Sequence, residues 1–75
     1  MKEHDRVILT TDIPSEGLAA GDVGTIVHVH AKGKAFEVEF VTLTGQTAVI
    51  ATIEVAHLRT ARTDEIAHAR SRAVA

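Results

Sequence analysis

The chain has no cysteine, no tryptophan and no tyrosine, one proline, and only two aromatic rings, Phe36 and Phe40, in 75 residues. Without cysteine there is no disulfide framework, no thiolate metal site and no thiol nucleophile. Support for the fold must come from packing, a partner copy or a non-thiolate ligand, because 75 residues is near the lower limit at which a chain folds without staples. Long hydrophobic runs are missing too. The longest, "AVIA" at Ala48–Ala51, is far too short to cross a membrane, and the opening "MKEHDR" has no apolar stretch of the kind that directs export. These absences together imply a single soluble, cytoplasmic domain.

Basic charge is scarce where it would matter for nucleic acid. The chain carries 8 Lys/Arg against 10 Asp/Glu, a formal net charge of −2. The deficit lies in Met1–Leu58, which holds Lys2, Arg6, Lys32 and Lys34 against eight acids, whereas Arg59, Arg62, Arg70 and Arg72 follow with only Asp64 and Glu65. A phosphate-binding body shows a basic patch with interleaved aromatics. The acidic body here disfavours that function, and the arginine-rich end leaves it open only as an appended tail.

What is present is a succession of short alternating runs. "DRVILTT" at Asp5–Thr11 reads as a strand, stopped by the loop "DIPSEG", where Pro14 and Gly17 punctuate the chain. "DVGTIVHVH" is a second strand, with Val23, Thr25, Val27 and Val29 on one phase and Ile26, His28 and His30 on the other, and Gly24 marks a bulge or a close approach. After a turn at Gly33, "AFEVEFV" gives the cleanest alternation, predicting Phe36, Val38 and Phe40 toward a core and Glu37 and Glu39 toward water. Past Gly45, "TAVIATIEV" is apolar on both phases and so predicts cover on both faces. "EVAHLR" closes the series as a last short strand or 3₁₀ turn.

Five short strands with glycine turns and no helix between them predict an all-β domain, a small antiparallel barrel over residues 1–59. Residues 60–75 change character, rich in alanine and arginine. Thr63 as N-cap with Asp64 and Glu65 in the first turn makes this segment a C-terminal helix or a flexible tail, weakly amphipathic through Ile66, Ala67 and Val74.

The stretches "DRVILTTDIPSEGLAAGDVGTIVHVH" and "AFEVEFVTLTGQTAVIATIEVAHLR" closely resemble an uncharacterised bacterial family of very small proteins, a domain of unknown function. Its members read D-R-V-x-L-x-x-D-I-P-x-x-G-L-x-x-G-D-x-G-T, then E-V-E-F and a late L-R. More distantly, Gly21, Asp22, Gly24, Ile26 and Val29 resemble the first turn and strand of SH3-like barrels, including KOW modules and the β subunit of nitrile hydratase. That resemblance implies an SH3-like fold, and for a KOW-like module it implies RNA contact through a basic surface.

Three constellations invite chemistry. His28 and His30 lie two apart on one strand, with both rings on one face about 6.5–7 Å apart along the backbone. They would chelate a divalent metal if His57, His4 or Glu54 supplied a third ligand; otherwise they are polar residues of a solvated face. Glu37 and Glu39 share a face but alternate with core residues, as solvated carboxylates do. Ser15 and Ser71 sit in a loop and a tail with no catalytic motif around them, and "GLAAGDVG" leads into a strand, whereas phosphate loops open a helix.

No enzyme, cofactor or small-molecule substrate is implied. The expected function is a protein-interaction or regulatory module, homo-oligomeric or bound to another protein, with an antitoxin-like or immunity-like role compatible with its size and acidity. Its expected contacts are Ile50 and Thr52 on the second face of the fourth strand, and Ile13 and Leu18 in the loop Thr11–Ala20. Two alternatives stand beside it: nucleic-acid binding by Arg59, Arg62, Arg70 and Arg72, and metal binding at His28 and His30.

Overall fold

The computed structural model of the chain describes residues 1–72. Its strands are β1 (Arg6–Leu9), β2 (Val23–His30), β3 (Ala35–Val41), β4 (Thr47–Glu54) and β5 (Leu58–Thr60). They form one antiparallel sheet in the order β4-β3-β2-β1-β5. β4 and β5 lie at opposite edges yet are joined by a single 3₁₀ turn, Val55–His57, so the sheet curls round its core as a small SH3-like barrel. One cluster unites both halves of the curl: Val7, Leu9 and Leu58 meet Ile26, Phe36, Val38, Phe40 and Ile53. No described helix is long and apolar enough to cross a membrane.

The alternation of β3 translates directly into structure, with Phe36, Val38 and Phe40 buried. β2 departs from strict alternation. Ile26 opposes Val38, but His28 opposes Glu37, so Val27 is an extra residue bulged out of the ladder. The bulge resets the phase: Ile26 is buried before it and Val29 packs on the core after it, whereas strict alternation puts these two on opposite faces. Gly24 makes the close approach expected of it, since a Cβ there would strike Val38 Cγ1 and stand 3.1 Å from the Glu39 carbonyl oxygen and from Phe40 Cε1.

The loop between β1 and β2 is built by its own side chains. Ile13 and Leu18 bridge across it, a 3₁₀ turn at Pro14–Glu16 fills it, and Gly17 closes that turn at φ 67°, a left-handed value glycine adopts freely. Asp22 Oδ2 accepts the Ala19 N–H at 2.9 Å and Asp12 Oδ1 accepts the Ala20 N–H at 2.8 Å. These carboxylates satisfy amides that the turn leaves unpaired.

Of the two forms expected for the C-terminal segment, residues 61–72 take that of a tail with no helix; residues 73–75, Val74 included, lie outside the described residues. The segment begins as a helix does, with the Glu65 carboxylate accepting the Arg62 N–H at 2.7 Å. It does not propagate, because so short a helix barely recovers its nucleation cost. Arginines fix the tail to the β1–β2 loop instead. The Arg70 guanidinium grips the Asp22 carboxylate, with Nε 2.8 Å from Oδ1, and donates to the Gly17 carbonyl at 3.1 Å. Arg72 donates to the Glu16 carbonyl at 2.8 Å.

Candidate functional site

The sequence expects cover on the second face of β4, and the described tail does not supply it. The tail runs instead beside Arg6, Ile8 and Val23, at the far side of the sheet, where Ile8 is 7% exposed although it stands outside the main core cluster. A cleft of about 270 Å³ remains between the tail and the ends of β2 and β3, lined by Leu18, Asp22, Phe40, Leu43, Ala48 and Arg70 among others. Ile50, on the outer face of β4, is 50% exposed, and Thr52 beside it is exposed.

β4 is also an open edge. Among the described residues its only strand partner is β3, with Phe36 opposite Ile53, Val38 opposite Ala51 and Phe40 opposite Val49. The register continues to Val55, whose N–H donates to the Lys34 carbonyl at 2.9 Å. Antiparallel ladders alternate hydrogen-bonded and non-hydrogen-bonded pairs, so Ile53, Ala51 and Val49 turn their backbone groups toward β3. Ile50, Thr52 and Glu54 turn theirs outward, away from the sheet. Side chains at these positions share the outer face with Glu37 and Glu39, which oppose Thr52 and Ile50 in the closer, non-hydrogen-bonded pairs.

Electrostatically this outer face is acidic. β3 and β4 contain three glutamates and no lysine or arginine. Glu39 Oε2 accepts the Thr47 hydroxyl at 2.6 Å, and Glu37 Oε2 lies 3.5 Å from His30 Nε2. Edge strands are usually blunted by lysine, proline or bulges. Here the only such device is the register shift between Phe40 and Val41, which bulges Ala48 near the start of β4.

The other expected contacts are placed differently. Leu18 is 5% exposed and is part of the core, and Ile13 packs against that core from the bridge, so these two hold the loop together rather than face a partner. In sequence, a satellite core and a docking patch look alike, because both show as apolar residues in a loop.

His28 and His30 do share a face, with ring centroids 4.5 Å apart in an edge-to-face contact. Each has a carboxylate near it: Glu3 Oε1 at 3.9 Å from His28 Nδ1, and Glu37 beside His30. His57, His4 and Glu54 do not complete a ligand set, and among the described residues no group of three or more His, Asp or Glu side chains is placed to hold one ion.

Three of the four C-terminal arginines make contacts within the fold. Arg59 pairs with both oxygens of Glu65, at 2.8 and 2.6 Å, Arg70 is held by Asp22, and Arg72 by the Glu16 carbonyl. The hydrogen bond from Arg59 and that from the Arg62 amide bring the Glu65 carboxyl down to about 2. Burial pushes the Asp22 carboxyl up, but the hydrogen bonds from Arg70 and Ala19 and the guanidinium charge outweigh it and leave the group below its ordinary 3.8.

No curated protein and no solved structure matches the chain significantly. The model of one family, described as a domain of unknown function (DUF4926), matches residues 3–60, which run from before β1 to the end of β5. The aspartates, proline and glycines that carried the resemblance are the ones that build the β1–β2 loop and its junction with β2, and the chain belongs to that family.

Proposed function

We propose that the protein is a non-enzymatic interaction module that receives an extended segment of another chain on the free edge of β4, in a regulatory role of the antitoxin or immunity type. The observation that carries this reading is the eight-residue edge strand whose Ile50, Thr52 and Glu54 direct their backbone groups outward beside a half-exposed isoleucine. A strand added there gains main-chain hydrogen bonds from the edge and side-chain selectivity from the face, as strand-addition domains do. A non-enzymatic role is supported by the surroundings of the candidate acids: Glu37 and Glu39 stand on an open sheet face, engaged with His30 and Thr47.

The test uses proline. The Thr52 N–H points away from β3, so Thr52→Pro leaves the internal ladder intact while removing the donor an added strand needs. Light scattering on the purified protein reads association with a second copy, and affinity capture from the native cell reads association with a different protein. Whichever complex forms with the wild type is expected to be lost with a Thr52→Pro variant that circular dichroism shows to be folded. A folded variant that keeps every complex, or a wild type that forms none, contradicts the reading.

A further inference from the structure

We infer that the segment taken up by β4 is basic, an extended strand alternating apolar residues with lysine or arginine, and belongs to a different protein rather than to a second copy of this chain. The inference rests on the reading of β4 as a strand acceptor and concerns what that acceptor selects.

The argument starts from the two faces an added strand would meet. On the inner side it lies beside Val49, Ala51 and Ile53, which pack on or within the core, so its inward side chains must be apolar. On the outer side it meets Ile50, Thr52 and Glu54 at about 4.8 Å, with Glu39 and Glu37 one strand further, about 9.6 Å away by the same spacing. An apolar residue suits the position opposite Ile50. Opposite Thr52 a long cationic side chain reaches over the short hydroxyl toward Glu37, and opposite Glu54 it meets a carboxylate directly. The favoured segment therefore has apolar residues along its inner phase and cations on its outer phase opposite Thr52 and Glu54.

A second copy does not fit this pattern. Paired with its own β4, the edge would receive the sequence TAVIATIE, which brings a further glutamate and no cation to a face that already holds three. Like charges set across a ladder are unfavourable. Of the chain's own cations, Arg59, Arg70 and Arg72 are held elsewhere in the fold. An acidic body also speeds and orients encounter with a basic partner through its long-range field.

The experiment titrates the isotope-labelled full chain with three synthetic peptides: one alternating lysine and valine, one alternating glutamate and valine, and one with the β4 sequence TAVIATIE. Amide signals of Ile50, Thr52 and Glu54 are followed by NMR at low and high salt. The lysine peptide is expected to shift and protect these amides and to bind about tenfold more tightly than the glutamate peptide, the scale of a few exposed ion pairs. That preference should shrink at high salt and disappear in the Glu37→Gln, Glu39→Gln, Glu54→Gln triple variant. Equal binding of the lysine and glutamate peptides overturns the inference and leaves β4 an acceptor without charge selection. Tightest binding by TAVIATIE overturns it in favour of a second copy. Failure of every peptide to touch β4 overturns both the inference and the reading beneath it.

Discussion

Replacing Gly24 with alanine places a single methyl group at the tightest point of the sheet. The new Cβ would strike Val38 Cγ1 and press on the Glu39 carbonyl oxygen and the Phe40 ring, both at 3.1 Å. Neither main obstacle yields easily. Val38 is fully buried, and the carbonyl belongs to the backbone of a strand paired on both sides. Relief therefore requires β2 and β3 to separate or Val38 to leave its rotamer, and overpacking of this kind costs about 1–3 kcal/mol. A domain of this length has a total stability of roughly 4–11 kcal/mol, so the loss is a large share of it. At about 4–8 °C per kcal/mol the melting midpoint should fall by roughly 5–20 °C. Thermal and urea melts of the purified variant measure this. The second substitution Val38→Ala removes the struck methyl group, so the double variant should be less destabilised than the sum of the singles. A Gly24→Ala midpoint within about 1 °C of wild type, or strictly additive losses, would refute the reasoning.

The tail clamp makes two further predictions. Because the Asp22 carboxyl lies below its ordinary 3.8 in the fold, its pairing with Arg70 stabilises above that value and is lost as pH falls through the lowered one. Asp22→Asn should lower the melting midpoint at pH 7 by several degrees, on the scale of about 1–2 kcal/mol for hydrogen bonds to a charged group. It should also flatten the decline in stability below pH 4; a variant with the wild-type acid profile would contradict the clamp. Glu65 should titrate near pH 2 by carbon-13 NMR, and Arg59→Ala should return it toward its ordinary 4.5; an unchanged midpoint would mean that the pair is not formed in solution.

The sequence read most faithfully where local rules act alone. β3 is flanked on both sides, so burial alternates along it without interruption and its three core residues can be named from periodicity. β2 broke the same rule because a bulge adds one residue, and nothing in "TIVHV" distinguishes Val27 as the residue that leaves the ladder. The loop was legible as a turn from Pro14, Gly17 and Gly21, but not as a small extension of the core through Ile13 and Leu18. Least legible was the tail. Its contacts join Arg70 and Arg72 to residues about fifty positions earlier, and a helix start at Thr63 reads equally well when no such contact is in view. As for the candidate site, the doubly apolar pattern of β4 drew attention to Ile50 and Thr52, while their position on an open edge depends on strand order, which periodicity does not carry.

The most direct test of β4 as an open acceptor is residue-resolved amide hydrogen exchange on the free protein. If the edge is open, Ile50, Thr52 and Glu54 exchange rapidly while Val49, Ala51 and Ile53 between them are protected, an alternation set by which amides face β3. Uniform protection along all of β4 would mean that the outward amides are already paired, and would contradict the account.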